Sequence, residues 1–237
     1  MYIQDFFVQY YDYRPFNSVF FNKVVGNFSK IGAVIASVFL PTWFRLFPSV
    51  KSISKRQDGL IICMTSFPTR IDYVWLVVEC LLRQTIQAED IVLYLSKKQF
   101  PTRDKLPPQL LKMELNHKVT IKMENEDYRS HKKYWYALRD FPNKTIITVD
   151  DDIIYDSKLI EQLIVFSKKH PMCIPGRFIS TICYDDGSEH HVLPYSKWSG
   201  RVDKGSIGAN LFFGSGGGTL FPVGSLRGAN IPFEEIS

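Results

Sequence analysis

From Gly59 onward, short apolar runs alternate with segments of helical period. Leu60-Ile61-Ile62-Cys63-Met64 is an uninterrupted apolar run bounded by Gly59, which predicts a strand buried on both faces. Val74 to Gln84 predicts a largely apolar helix, Asp90 to Leu95 the next strand, and Pro107 to Leu115 a further helix. Val119-Thr120-Ile121-Lys122 alternates as a half-buried strand does, and His131 to Phe141 returns to helical spacing. Lys144 to Val149 predicts a central strand that runs straight into Asp150-Asp151-Asp152. Strands and helices alternating through short connections predict an α/β fold, a mostly parallel sheet flanked by helices. Sheets of that kind bind ligands at the carboxyl ends of their strands.

Ser157 to His170 predicts a helix, with an apolar stripe through Leu159, Ile160, Leu163, Ile164 and Phe166 and with Lys168, Lys169 and His170 at its end; Pro171 stops it. The pattern then turns to β: Arg177 to Tyr184, a turn at Asp185-Asp186-Gly187-Ser188, and a return strand near His191 to Tyr195. Ahead of all this lies an aromatic-rich segment, set off by the polar stretch Ser49 to Asp58. Residues 1–57 are therefore expected to form an N-terminal helical segment and residues 58–237 the main domain. Within the first part, Ile31 to Leu40 is an uncharged run of ten residues, interrupted by Pro41 and Arg45. That is short of the roughly 20 residues a bilayer span needs. Flanking Phe28, Lys30, Trp43, Phe44, Arg45, Phe47 and Lys51 suit an interfacial anchor, and a helix buried on the main domain fits the run equally.

Charge narrows the partners. The formal charge is +5, from 29 basic and 24 acidic residues, without the basic blocks of a nucleic-acid binder. An anionic small substrate or an anionic membrane surface suits it, and nucleic acid does not. Cys63, Cys80, Cys173 and Cys183 include no CxxC pair, so neither a zinc ribbon nor a disulfide framework is expected, and reduced, mostly buried thiols are. The first residues lack a basic region followed by a continuous apolar stretch, so the chain is expected on the cytoplasmic side, with peripheral contact to the inner face of the plasma membrane where the apolar run allows it.

Three adjacent carboxylates at the end of a buried strand repel one another and need a cation. Mn2+ or Mg2+ prefers carboxylate, water and phosphate oxygens, so Asp152 is the expected direct metal ligand, with Asp150 on the metal shell or a ribose and Asp151 turned the other way. After the first strand, Thr65, Ser66 and Arg70 can meet a base or phosphate. Lys132 and Lys133 open a helix whose N-terminus already favours anions. Gly214 and Gly216 to Gly218 put four glycines in five residues, with neither a P-loop ending nor GxGxxG followed by a helix. Gly216 and Gly217 are expected in a loop that faces a sugar or an acceptor.

With these residues in hand, the sequence resembles the glycosyltransferases of bacterial capsular and exopolysaccharide clusters, within the GT-A nucleotide-diphospho-sugar transferase superfamily. The resemblance runs from about Leu60 to Leu226 through MTSFPTRIDYVW, LLRQT, DIVLYLS, HKKYWYAL, IITVDDDIIY and GSGGGTLFP. It implies a Rossmann-like GT-A fold, a DXD-type metal site at Asp150 and Asp152, a nucleotide pocket near Thr65, Ser66 and Arg70, and an acceptor-side loop at Gly216 to Gly218. The implied activity is metal-dependent transfer of a sugar from a nucleoside-diphosphate donor to a glycan or lipid-linked acceptor in surface polysaccharide synthesis. Family members continue past the glycine loop to another acidic pair; the late acids here are Glu234 and Glu235, so a domain truncated at its C-terminus is expected. No catalytic base is assigned, and an inactive nucleotide- or glycan-binding relative is the alternative. An apolar strand ending in DxD also opens haloacid-dehalogenase phosphotransfer sites, but no downstream lysine with a glycine-flanked acidic pair completes one here.

Overall fold

The computed structural model describes residues 2–12, 19–50, 56–185, 191–202 and 205–225. Two N-terminal helices, α1 (Ile3–Asp12) and α2 (Val19–Leu46), precede the sheet elements. These are β1 (Arg56–Thr65), α3 (Val74–Leu82), β2 (Gln87–Ser96), α4 (Pro108–Leu115), β3 (Thr120–Glu124), α5 (Lys132–Asp140) and β4 (Thr145–Val149). Then come α6 (Leu159–Lys169), the short strands β5 (Ile179–Thr181), β6 (Ser199–Arg201) and β7 (Leu211–Phe213), and β8 (Gly217–Phe221).

The main sheet has the order β3-β2-β1-β4-β8, parallel except for β8, which returns antiparallel on the edge. Period-two alternation divides each central strand between two packed faces. Ile62 and Met64 of β1, Leu93 and Leu95 of β2, and Ile147 and Val149 of β4 join one buried cluster with Val74, Val78 and Leu81 of α3 and Leu159, Ile160 and Leu163 of α6. Ile61 and Cys63, Val92 and Tyr94, and Ile146 point the other way, onto Tyr136 and Ala137 of α5. Both faces being covered explains why these strands read as continuous apolar runs. β5, β6 and β7 form a second, antiparallel sheet.

The first fifty residues pack on this core. Leu40 and Phe44 of α2 belong to the same buried cluster as β1 and α3. Gln4 Nε2 donates to the carbonyls of Cys80 and Tyr155, each at 3.1 Å, and the Asp5 carboxylate accepts from Ser157 N at 2.7 Å and Ser157 Oγ at 2.8 Å. α2 also presents Ile31, Val34, Ile35 and Val38 to solvent, between 54% and 70% exposed. The buried-helix and exposed-apolar readings therefore describe two faces of one helix. Among the described residues no helix is long and apolar enough to cross a membrane.

Pro41 interrupts the apolar run but not the helix, and α2 continues to Leu46; a proline removes one helical N–H bond, and the packing of Leu40 and Phe44 holds the turn around it. Three sequence expectations need correction. The polar stretch taken as a boundary already contains the start of β1 at Arg56, exposed and outside the buried part of the strand, while residues 51–55 lie outside the described ones. The β segment after α6 is shorter than its pattern, since only Ile179–Thr181 pairs as a strand; beyond it Tyr184 and Val192 make an isolated bridge, and Asp186 to His190 lie outside the described residues. Much of the glycine-rich segment is the edge strand β8 rather than a loop.

Candidate functional site

β1 and β4 lie side by side, and their crossovers run to opposite sides of the sheet order. The crevice of a doubly wound sheet opens at such a point, beyond the strands' carboxyl ends. Ser66 and Arg70 follow β1 there, and Asp150, Asp151 and Asp152 follow β4.

β4 stops at Val149, so the three aspartates occupy a turn and strand alternation no longer orders them. Asp150 N donates both to Gly216 O and to Tyr155 Oη, each at 2.8 Å, and the Tyr155 hydroxyl donates to Gly216 O. Tyr155 is 1% exposed, and burial, reinforced by the Asp150 and Asp152 charges, pushes its phenol well above the ordinary tyrosine range. It stays protonated and pins the turn to β8.

Each carboxylate has a different partner. Asp150 Oδ1 stands 2.6 Å from Lys133 Nζ, and that lysine side chain is only 3% exposed. Asp151, with a side chain 6% exposed, accepts from Ser66 Oγ at 2.5 Å and from Arg70 at 3.3 Å. Asp152 Oδ2 is 2.6 Å from the same Arg70 nitrogen, and both side chains are 45% exposed. Two cations thus face three carboxylates, leaving one negative charge in excess where Asp152 meets solvent.

The predicted residues do not all converge. Ser66, Arg70, Lys133 and the three aspartates form one connected group. Thr65 turns its hydroxyl to Tyr94 O at 2.8 Å, tying β1 to β2. Lys132, 1% exposed, pairs with Asp127 and reaches Gln99, away from the aspartates. Successive helical positions point about 100° apart, so the two lysines were never able to share a task. Gly216 and Gly217 are buried, and neither has an open face: a Cβ on Gly216 would lie 1.6 Å from Asp150 Oδ2, and one on Gly217 1.7 Å from a Phe178 ring carbon. These glycines admit the protein's own side chains. Tyr155 and Phe178 are participants that the sequence reading missed, since an aromatic among Ile153, Ile154 and Tyr155 counts simply as apolar.

Asp151 and Asp152 are the residues that could hold a hard divalent cation. Asp151 Oδ1 and Asp152 Oδ2 converge on a single positive nitrogen, so the fold already presents these oxygens to a cation. Among the described residues no group of three or more His, Cys, Asp or Glu side chains is arranged to hold a metal by itself. Mg2+-type ions suit this, because they take one or two carboxylates and complete their shell with water and phosphate. A separate cavity of about 1460 Å³ lies between α1, α6 and the small sheet, lined by Leu163, Phe166, Ile179 and Leu211 with the Asp156–Arg177 ion pair, and touches none of the three aspartates.

No protein-family model matches the sequence, and none of the curated proteins does. Among solved structures, S. aureus TarS 1-349 overlaps it with a TM-score of 0.38 at 13% identity, over 58% of this chain and 38% of that one. The same TarS fragment in complex with UDP-GlcNAc gives 0.35 at 14% identity, over 57% and 37%. S. aureus TarS itself gives 0.40 at 12% identity, over 74% and 30%. The chain spans less than two fifths of the length of each of these proteins.

Proposed function

We propose that this chain binds a nucleoside-diphosphate sugar through Mn2+ or Mg2+ held by Asp152 and Asp151, and transfers the sugar to a glycan or lipid-linked acceptor in surface polysaccharide synthesis. One observation carries the reading: two carboxylates from the turn after β4 converge on one cationic nitrogen at the carboxyl edge of a parallel sheet, beside the end of β1. The sequence motifs around Ser66, Arg70, Lys133 and Asp150 support the same chemistry. A divalent cation there would offset charge on the departing diphosphate. Asp150 serves as the fixed floor of the site, because Lys133 and Gly216 already occupy its surroundings.

Calorimetric titration of UDP, GDP and CDP with and without Mn2+ tests the pocket and the metal together. The reading expects metal-dependent binding of at least one nucleotide, lost in Asp152→Ala; binding indifferent to both sinks it. A second reading, binding without turnover, draws on the same geometry: Asp150, Asp151 and Asp152 are all held by cations, and none stands ready as a base. Sugar transfer from UDP-GlcNAc and a panel of other nucleotide sugars separates the two. We also read the exposed apolar face of α2 as a surface for peripheral membrane contact, on the cytoplasmic side where a lipid-linked acceptor would be reached.

A further inference from the structure

We propose that Arg70 is a movable counter-cation that closes the Asp151–Asp152 pair, so that a divalent metal and a diphosphate must enter together; the inference rests on the metal-diphosphate reading above. Its guanidinium contacts both carboxylates, at 2.6 Å from Asp152 and 3.3 Å from Asp151. A guanidinium cannot shed its proton to make way for another cation, so a metal on these oxygens has to expel it.

The surroundings allow Arg70 to leave and Lys133 to stay. The Lys133 side chain is sealed at 3% exposure against Asp150, whereas that of Arg70 is 45% exposed. The Arg70 backbone is fixed: its N–H donates to Phe67 O at 3.0 Å, and Tyr73 N donates to its carbonyl at 2.9 Å. Movement is therefore confined to the side chain, which lies over the Phe67 ring at 5.0 Å from its centroid. An aromatic face holds a guanidinium in more than one rotation, so Phe67 supports Arg70 before and after it swings. Expelled by metal alone, Arg70 loses its anions and gains none. A diphosphate supplies planar, bidentate oxygens in their place. Metal and diphosphate thus each make room for the other, and by linkage the gain is equal in both directions.

Arg70→Ala and Arg70→Gln separate this from a merely structural role, the glutamine retaining a planar group over Phe67. Mn2+ is titrated into the full chain by calorimetry, and free Mn2+ is counted by paramagnetic resonance, without and with UDP or inorganic pyrophosphate. Asp152→Asn is the site control, and melting curves verify folding. Both Arg70 variants should bind Mn2+ alone about tenfold or more tighter than the parent protein, while their diphosphate affinity in Mn2+ falls and the mutual enhancement shrinks toward unity. Mn2+ affinity unchanged or weakened in both variants, with Asp152→Asn still abolishing binding in the parent, overturns the inference and leaves the metal site standing. Absence of Mn2+ binding in every protein, with or without diphosphate, removes the metal reading and the inference with it.

Discussion

The carboxylate of Asp150 occupies the space that a side chain at Gly216 would need, its Oδ2 only 1.6 Å from where a Cβ would stand. Gly216 also accepts the Asp150 backbone N–H at 2.8 Å, so one residue of the glycine segment fixes both the main chain and the side chain of the aspartate that opens the acidic turn. Lys133 then meets that carboxylate from α5.

Gly216→Ala should therefore expel Asp150 from its place and strand the buried Lys133. Overpacking at such a contact costs about 1–3 kcal/mol. Urea denaturation should show that loss, and nucleotide titration of the folded fraction should show weakened metal-dependent binding. An alanine variant with unchanged stability and affinity would refute this account of the glycine.

The two adjacent lysines should behave oppositely. Lys132→Met leaves the partly exposed Asp127 carboxylate with the Arg129 N–H but without its lysine and should cost about 1 kcal/mol of stability, while nucleotide affinity of the folded protein stays the same. Lys133→Met frees the Asp150 carboxylate, so metal-dependent nucleotide binding should fall. Parallel melting and calorimetric titrations of both variants check the contrast; equal losses of affinity would contradict it.

Acid should weaken the fold through Glu89 and Asp140. A hydrogen bond from Lys144, with another from Gly59 N, holds the Glu89 carboxyl below its ordinary 4.5. Burial alone would raise Asp140, but hydrogen bonds from Arg139 and Lys122 outweigh it and hold the group below 3.8. With both depressed in the folded state, the unfolded chain takes up protons first as pH falls. The stability they contribute is complete above the unfolded-state values near about pH 4 and is lost as pH drops through the folded ones. Melting temperature should fall as pH drops below about 5, and fall less in Lys144→Met, where the Glu89 contribution is reduced to the Gly59 N–H bond. An identical acid slope in the two proteins would exclude Glu89 as a source.

Val34 and Val38 of α2 are 64% and 70% exposed, so Val34→Glu and Val38→Glu should leave melting unchanged. If that face rests on a membrane, each substitution removes apolar contact and adds a charge facing anionic lipid, and sedimentation with phosphatidylglycerol vesicles should weaken by about tenfold or more. A parent protein that ignores such vesicles, or forms a dimer that Val38→Glu dissolves, would assign the face to another partner.

The sheet was legible because β1, β2 and β4 are buried on both sides and so carry runs such as LIICM and TIITV. The pairing of the acidic turn with cations was legible too, since acids placed at the end of a buried strand are costly without one. What stayed hidden depends on contacts distant in sequence. The assignment of Lys133 rather than Lys132 to the aspartates follows from the rotation of α5 against the sheet, and the roles of Tyr155 and Phe178 from where β8 returns. Gly216 to Gly218 illustrates the ambiguity: lack of Cβ signals a close approach, but the composition cannot say whether a ligand or the protein's own side chain makes it.

The antiparallel return of β8 also dictates an order of events. Thr148 Oγ1 bonds to Ser215 O across 67 positions of sequence, and Asp150 finds its carbonyl acceptor in the next residue of that segment. The parallel partner of β4 lies still farther away in sequence, with Cys63 of β1 against Thr148, but it precedes β4 in the chain, whereas β8 follows it. During synthesis the acidic turn is therefore made well before the segment that shapes it, and Asp150 gains its carbonyl acceptor only once residue 216 has left the ribosome.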